Sequence, residues 1–210
     1  MQAVVHLFAH DLRAHAVTGA NIVRMTSPRL HFTGDAEADA LLFREPMALL
    51  IGFVLDQQVT VQKAFSGPLE INRRLGTLDA GKIAALDPAV LETAFRERPA
   101  LHRFPGSMAR RTQELCATVS ERYGGDAARI WTEAKDAADV RRRLRELPGI
   151  GPMKTDALLV ILARRLGVEL DGWEQVLPDH PTLGDVDSDE ALAAYQAMKR
   201  ARKEAQRAAS

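Results

Sequence analysis

From Asp35 onward the apolar positions recur at helical rather than alternating spacing. Ala36 to Phe43 predicts a short helix, and Pro46 opens a second whose Met47, Leu50, Ile51 and Val54 form one buried face. Thr60 to Leu75 predicts a further helix interrupted near Gly67-Pro68, since proline lacks the N–H that the ladder needs. Short helices follow Asp79 and Pro88. After a break at Phe104-Pro105-Gly106, Ser107 to Tyr123 turns Met108, Leu115 and Val119 inward, and Gly124-Gly125 closes it. Ala137 to Glu146 has Val140, Leu144 and Leu147 on one side and Arg141, Arg142, Arg143 and Arg145 on the others. Met153 to Leu166 predicts another helix. Asp187 with Glu190 reads as a capping box for a terminal helix over about residues 188–208. No stretch alternates Val, Ile and Thr, so the expected fold is all-α.

Between two of these helices lies Leu147-Pro148-Gly149-Ile150-Gly151-Pro152. Two glycines flanking an apolar residue let a backbone turn sharply and approach an anion closely. Pro152 suits the first turn of the next helix, whose unpaired N–H groups point to the same place. Gly149, Ile150 and Gly151 are therefore candidates for a phosphate clamp, with Lys154 and Thr155 beside them. The arginine run before the turn is the densest positive charge in the chain; it reads either as a solvated helix face or as a phosphate-facing one. The basic end of the last helix (Lys199, Arg200, Arg202, Lys203, Arg207) also suits a helix C-terminus and is weak evidence by itself.

Composition narrows the class. At 210 residues with 46% hydrophobic, the chain can bury a core as one domain or two small lobes. The formal net charge is +0, so a nucleic-acid partner has to be argued from where charges lie. The single cysteine, Cys116, excludes an intrachain disulfide, a thiolate-held iron–sulfur cluster and a Cys-rich zinc site. No window reaches the ~20 apolar residues of a membrane span, and the expected location is cytoplasmic, nucleoid-associated. Met1 to Arg24 keeps no sustained period and reads as a loosely attached extension, with Met25 as a candidate start.

Taken in order, Leu55-Asp56-Gln57-Gln58-Val59-Thr60, Phe104 to Tyr123-Gly124-Gly125-Asp126, and Leu147-Pro148-Gly149-Ile150-Gly151 resemble the helix-hairpin-helix (HhH-GPD) DNA glycosylase superfamily. These are the endonuclease III-like and 3-methyladenine glycosylase-like base-excision repair enzymes. With Ala38-Asp39-Ala40-Leu41-Leu42 added, the chain is similar to an actinobacterial branch of that superfamily. The resemblance covers roughly Asp35 to the C-terminus. It implies a two-lobed helical fold over 29–210, with residues 1–28 as an N-terminal extension, a helix-hairpin-helix at about 139–166 and a DNA groove between the lobes. It further implies a monomer that acts without a cofactor on double-stranded DNA containing a damaged or mismatched base. The iron–sulfur loop that many relatives carry is not possible here.

The family's catalytic aspartate lies about twenty residues after the second hairpin glycine, and that register falls on Asp171. A helix from Met153 to Leu166 runs ~20 Å outward, and Gly167 to Leu170 can return ~13 Å if extended, which would bring Asp171 beside the helix. Asp171 also reads structurally, as the start of a capping box with Glu174. Both readings leave it ionised, able to stabilise the oxocarbenium-like state of N-glycosidic cleavage. Asp156, Asp179 and His180 are nearby alternatives. Met153 stands where strand-cleaving relatives have a Schiff-base lysine, which implies hydrolysis without strand cleavage; Lys154 is one step, ~100°, further round. Gln58 matches the family's glutamine that fills the gap left by an extruded nucleotide, with Gln57 next to it. Trp173 and Met153 are possible pocket residues, and Phe53 reads as core. The alternatives are a non-catalytic helix-hairpin-helix protein recognising distorted or damaged DNA, and a helical protein-interaction module.

Overall fold

A computed structural model describes residues 28–208, and among them it contains helices and no strand. The expectations for residues 1–24 lie outside the described residues. The helices are α1 (Ala36–Arg44), α2 (Pro46–Leu55), α3 (Val61–Leu75), α4 (Ala80–Ala84), α5 (Pro88–Arg96), α6 (Pro105–Tyr123), α7 (Arg129–Thr132), α8 (Ala137–Arg145), α9 (Pro152–Val160), α10 (Trp173–Val176) and α11 (Asp189–Ala208). No helix among the described residues is long and apolar enough to cross a membrane.

The fold is built around α2. Every residue from Met47 to Leu55 is buried, not one face as its spacing suggests. Helices α1, α3 and α6 pack on it, so water reaches no side of it. Close approach to α3 depends on two glycines. A Cβ on Gly52 would stand 2.6 Å from the Phe65 ring, and one on Gly67 would stand 2.4 Å from a Leu55 methyl. Phe65 in turn meets Phe32 and Phe53 edge-on, each at 5.0 Å between centroids. This packing explains why α3 runs unbroken through Gly67-Pro68, against expectation. Both residues are buried on α2, and the packing offsets the hydrogen bond that proline forgoes.

Three N-caps set the lengths of the next elements as the pattern anticipates: Thr60, Asp79 and Asp87 accept first-turn N–H bonds in α3, α4 and α5. Helix α6 starts two residues earlier than expected, with Pro105 in its first turn, and ends at Gly124 in the left-handed region. Helix α9 continues through a wider π-helical turn, Ile161–Arg165. The last helix is capped by Ser188, whose Oγ accepts the Ala191 N–H at 3.1 Å. The expected Asp187–Glu190 box is therefore one residue out of register.

Two of the four arginines of the α8 run, Arg142 and Arg143, are held by partners within the protein. Asp139 accepts from Arg142 at 2.5 Å and from Arg143 at 3.0 Å, and Arg143 also donates to the Arg129 and Glu133 carbonyls. Burial raises the Asp139 carboxyl, but hydrogen bonds from Arg142, the Lys135 N–H and Arg143 outweigh it and bring it down to about 2. A carboxylate lowered on folding stabilises the fold above its unfolded value and loses that stabilisation as pH falls through the folded value. Asp139→Asn should therefore cost about 2 kcal/mol at neutral pH. In acid unfolding followed by circular dichroism, its gap to wild type should close between about pH 5 and pH 2; a constant gap across that window would exclude this account.

Candidate nucleic-acid interface

The hairpin forms as its composition dictates. Leu147 and Ile150 are buried, and the Ile150 N–H closes the turn on the Leu147 carbonyl at 3.2 Å. Gly149 sits at φ +80° with its Cα facing α2; a Cβ there would lie 3.3 Å from Val54. Gly151 caps α9 without a side-chain acceptor. The N–H groups of Gly149, Gly151, Met153 and Lys154 consequently have no acceptor among the described residues. These are the donors an anion can take. Two of the expected phosphate donors are used internally instead. The Ile150 N–H is used in the turn, and Thr155 is fully buried with both its N–H and its hydroxyl donated to the Gly151 carbonyl, at 2.9 and 3.1 Å.

Because Gly149 rests on Val54, the C-terminal end of α2 comes up beside the hairpin. Gln57 is locked there: its Nε2 donates to the Val54 carbonyl at 3.2 Å and its Oε1 accepts from Arg111 of α6. Its carbonyl accepts from His102 Nε2 at 2.8 Å, while His102 Nδ1 accepts the Phe104 N–H at 3.0 Å. That pair of bonds fixes the neutral tautomer, and burial lowers the imidazole's affinity for a proton. Gln58, next in the chain, has φ 56° and is exposed; it is the one non-glycine residue with positive φ among those described. Phe104 and Met153 are also exposed on this side, at 44% and 70%. Phe104 lies under the Arg103 guanidinium, 4.9 Å from its centroid.

Asp56 stands at the end of α2 with Lys154 and Lys199 near enough to act on its carboxyl. Burial raises that carboxyl, and the two lysines oppose the rise. Lys154 donates its Nζ to the Gly149 carbonyl at 3.1 Å; burial lowers its basicity, Asp56 opposes, and Arg111 adds to the lowering. Lys199 comes from α11, which also reaches α3 through Gln196 Nε2 to Gln62 Oε1 at 2.8 Å and presents Tyr195 toward the same carboxylate. A small apolar depression of about 260 Å³ is lined in part by Pro181, Val186, Tyr195 and Met198.

Cations with and without ion pairs occur across the protein, and Lys82, Arg110, Arg141 and Arg145 are among those that make none within the described residues. Arg73, Arg74, Arg96, Arg122, Arg129, Arg142, Arg143 and Arg164 all hold carboxylates. Lys63, Arg103, Arg111, Lys154 and Lys199 have no ion-pair partner among the described residues. All five act on His102, Asp56 or Lys154, at the end of α2. No family model, curated protein or solved structure matches this chain.

Asp171 is not brought to the hairpin. Its carbonyl accepts the Ala137 N–H at 3.0 Å, so it lies at the start of α8 while the hairpin lies at its end, ~13 Å away along a nine-residue helix. It is exposed and does not cap α10, whose N-cap Gly172 makes no side-chain bond. Trp173 lines the same shallow depression as Asp171 and donates its indole N–H to the Val168 carbonyl at 2.9 Å. The return to α9 that the spacing assigns to Gly167–Asp171 is made further on. Gly184 lies so close that a Cβ would meet the Ala157 carbonyl at 2.6 Å. Asp185 braces that segment through the Thr182 N–H at 2.8 Å and through Arg164 at 2.5 Å, and Asp187 beyond it is exposed. Asp156 is half-buried, and Asp179 and His180 are exposed. Cys116 is buried, its thiol pushed up to about 12 by burial and by Asp79.

Proposed function

We propose that this chain binds duplex DNA across the hairpin and the end of α2, and that it hydrolyses the N-glycosidic bond of a damaged or mismatched base. The observation that carries the reading is the set of four hairpin N–H groups without acceptors beside the end of α2, where Lys63, Arg103, Arg111, Lys154 and Lys199 make no ion pair among the described residues, in a chain of zero net charge. Phosphates satisfy both sets of groups at once, and releasing their counterions supplies the affinity. The HhH-GPD resemblance of the hairpin and of the Asp56-Gln57-Gln58 segment supports a two-lobed glycosylase arrangement with the groove at this face.

Acting on a base inside a duplex requires extruding the nucleotide and filling the gap. Gln58, held out by its backbone, is the residue for that role, and exposed Phe104 is positioned to wedge beside it. The apolar depression lined by Tyr195 and Met198 is the candidate receptacle for an extruded base. Exposed Met153, rather than an amine, at the second position of α9 argues for hydrolysis without strand cleavage.

Duplexes carrying an alkylated purine, an oxidised pyrimidine, a deaminated base or a mismatched adenine are the test. Binding should weaken steeply with salt, one of the four should lose its base, and borohydride should trap no covalent adduct. Salt-independent or absent binding would remove the nucleic-acid reading. Binding without base release from any duplex would leave a damage-recognising protein without chemistry.

A further inference from the structure

We infer that His102 is a positioning residue of this interface: one neutral imidazole ties the turn that presents Gln58 to the loop that presents Phe104, so that the two enter DNA as a unit. This rests on the nucleic-acid reading and says what sets the register of the residues that fill the gap.

The tie is made through backbone groups that no helix satisfies. The Gln57 carbonyl lies past the end of α2, and the Phe104 N–H lies before the start of α6. The first accepts from His102 Nε2 at 2.8 Å, and the second donates to His102 Nδ1 at 3.0 Å. Neither group has another partner among the described residues. His102 is only 2% exposed, so water does not replace either bond, and each is costly to lose. An apolar side chain could fill the same space, but it would join nothing and leave both backbone groups unpaired. The ring also meets the Phe104 ring, 5.9 Å between centroids. On the turn, the Gln57 amide is held by the Val54 carbonyl and by Arg111 of α6. The residue before Gln58 is thus fixed through its backbone and its side chain alike. Gln58 departs from it at φ 56°, exposed.

The tie works only while the ring is neutral. A proton on Nδ1 sets a second N–H against that of Phe104, while Nε2 still donates to the Gln57 carbonyl. Protonation therefore lets go of the Phe104 side and keeps the Gln57 side. Burial resists that proton most, the bond to the Gln57 carbonyl favours it, and the cations Arg103, beside the ring, and Lys63, of α3, resist it again. Arg111 and Asp56 stand next to Gln57. Release consequently falls below the ordinary imidazole range, and the two segments stay joined at neutral pH.

The test compares two duplexes by fluorescence anisotropy, one intact and one with a tetrahydrofuran abasic analogue at a single position. The intact duplex reads the phosphate contacts, and the other adds a ready-made gap for Gln58 and Phe104. Wild type should prefer the abasic duplex by about 10-fold or more at about pH 7.5 and lose most of that preference by about pH 5. His102→Gln, whose amide keeps a donor for the Gln57 carbonyl but takes no proton, should show at every pH the low preference that wild type reaches in acid. Phe104→Ala, a change at an exposed residue, should do the same, because no wedge is left to release. Should His102→Gln fail to fold, the wild-type profile and Phe104→Ala decide. A wild-type preference that is flat over this range overturns the inference. So does a His102→Gln with the wild-type preference, or a Phe104→Ala that still loses preference in acid. Wild type that binds both duplexes equally also overturns it and leaves the phosphate contacts standing. Wild type that binds neither, or binds without salt dependence, overturns the nucleic-acid reading and this inference with it.

Discussion

Gly184→Val should lower the melting temperature by about 6–12 °C, the equivalent of roughly 3 kcal/mol of overpacking in a chain of this size. Even a single Cβ at this position would lie 2.6 Å from the Ala157 carbonyl and 2.7 Å from Val160 Cβ. Neither can retreat, since the first is backbone in α9 and the second is a branched side chain facing inward. The substitution would also lift the Thr182–Val186 segment off α9, and with it the start of α11 that carries Tyr195 and Lys199 to the hairpin. Gly151→Ala is the matched control. Nothing lies within 4 Å of its Cβ and its φ is negative, so its melting temperature should stay within about 0.5 kcal/mol equivalent of wild type. Equal losses from both substitutions would show that the close approach at Gly184 does not carry the fold.

Removing Arg111, Lys154 and Lys199 together should cost about 100-fold in affinity for duplex DNA at low salt and flatten the log–log salt dependence by about 3, roughly one unit for each phosphate no longer neutralised. Arg73, Arg96 and Arg129 supply the comparison, because each already holds a carboxylate. Their triple alanine variant removes the same formal charge and should leave the slope nearly unchanged. If the two triple variants flatten the slope equally, binding follows total charge and the hairpin face has no special part in it.

Much of the helical framework is legible in the sequence because caps and breakers are local. Asp79, Asp87 and Gly124 mark helix ends through bonds made within a few residues, and Pro46 marks one through its fixed φ. What escapes is settled by packing between segments far apart in the chain. The spacing in α2 gives no sign that it is buried on every side, since that depends on what packs against it. Pro68 reads as a break until Gly67 is seen to admit Leu55. Counting twenty residues from the hairpin to Asp171 assumes a short return, and the chain instead completes α8's surroundings with Asp171 and comes back to α9 only at Gly184. The arginine run on α8 shows dense charge, but its ion pairs with Asp139 and Glu146 appear only in the fold. The hairpin itself is fully visible in the sequence.

Gln58 carries one more consequence. A side chain at φ 56° costs about 1 kcal/mol relative to glycine, and the residue is exposed, so it recovers nothing by packing. A screen for thermostable variants would therefore favour glycine at this position, and in doing so would erase the amide on which the proposed function draws. On the proposed function, robustness and usefulness pull in opposite directions at residue 58.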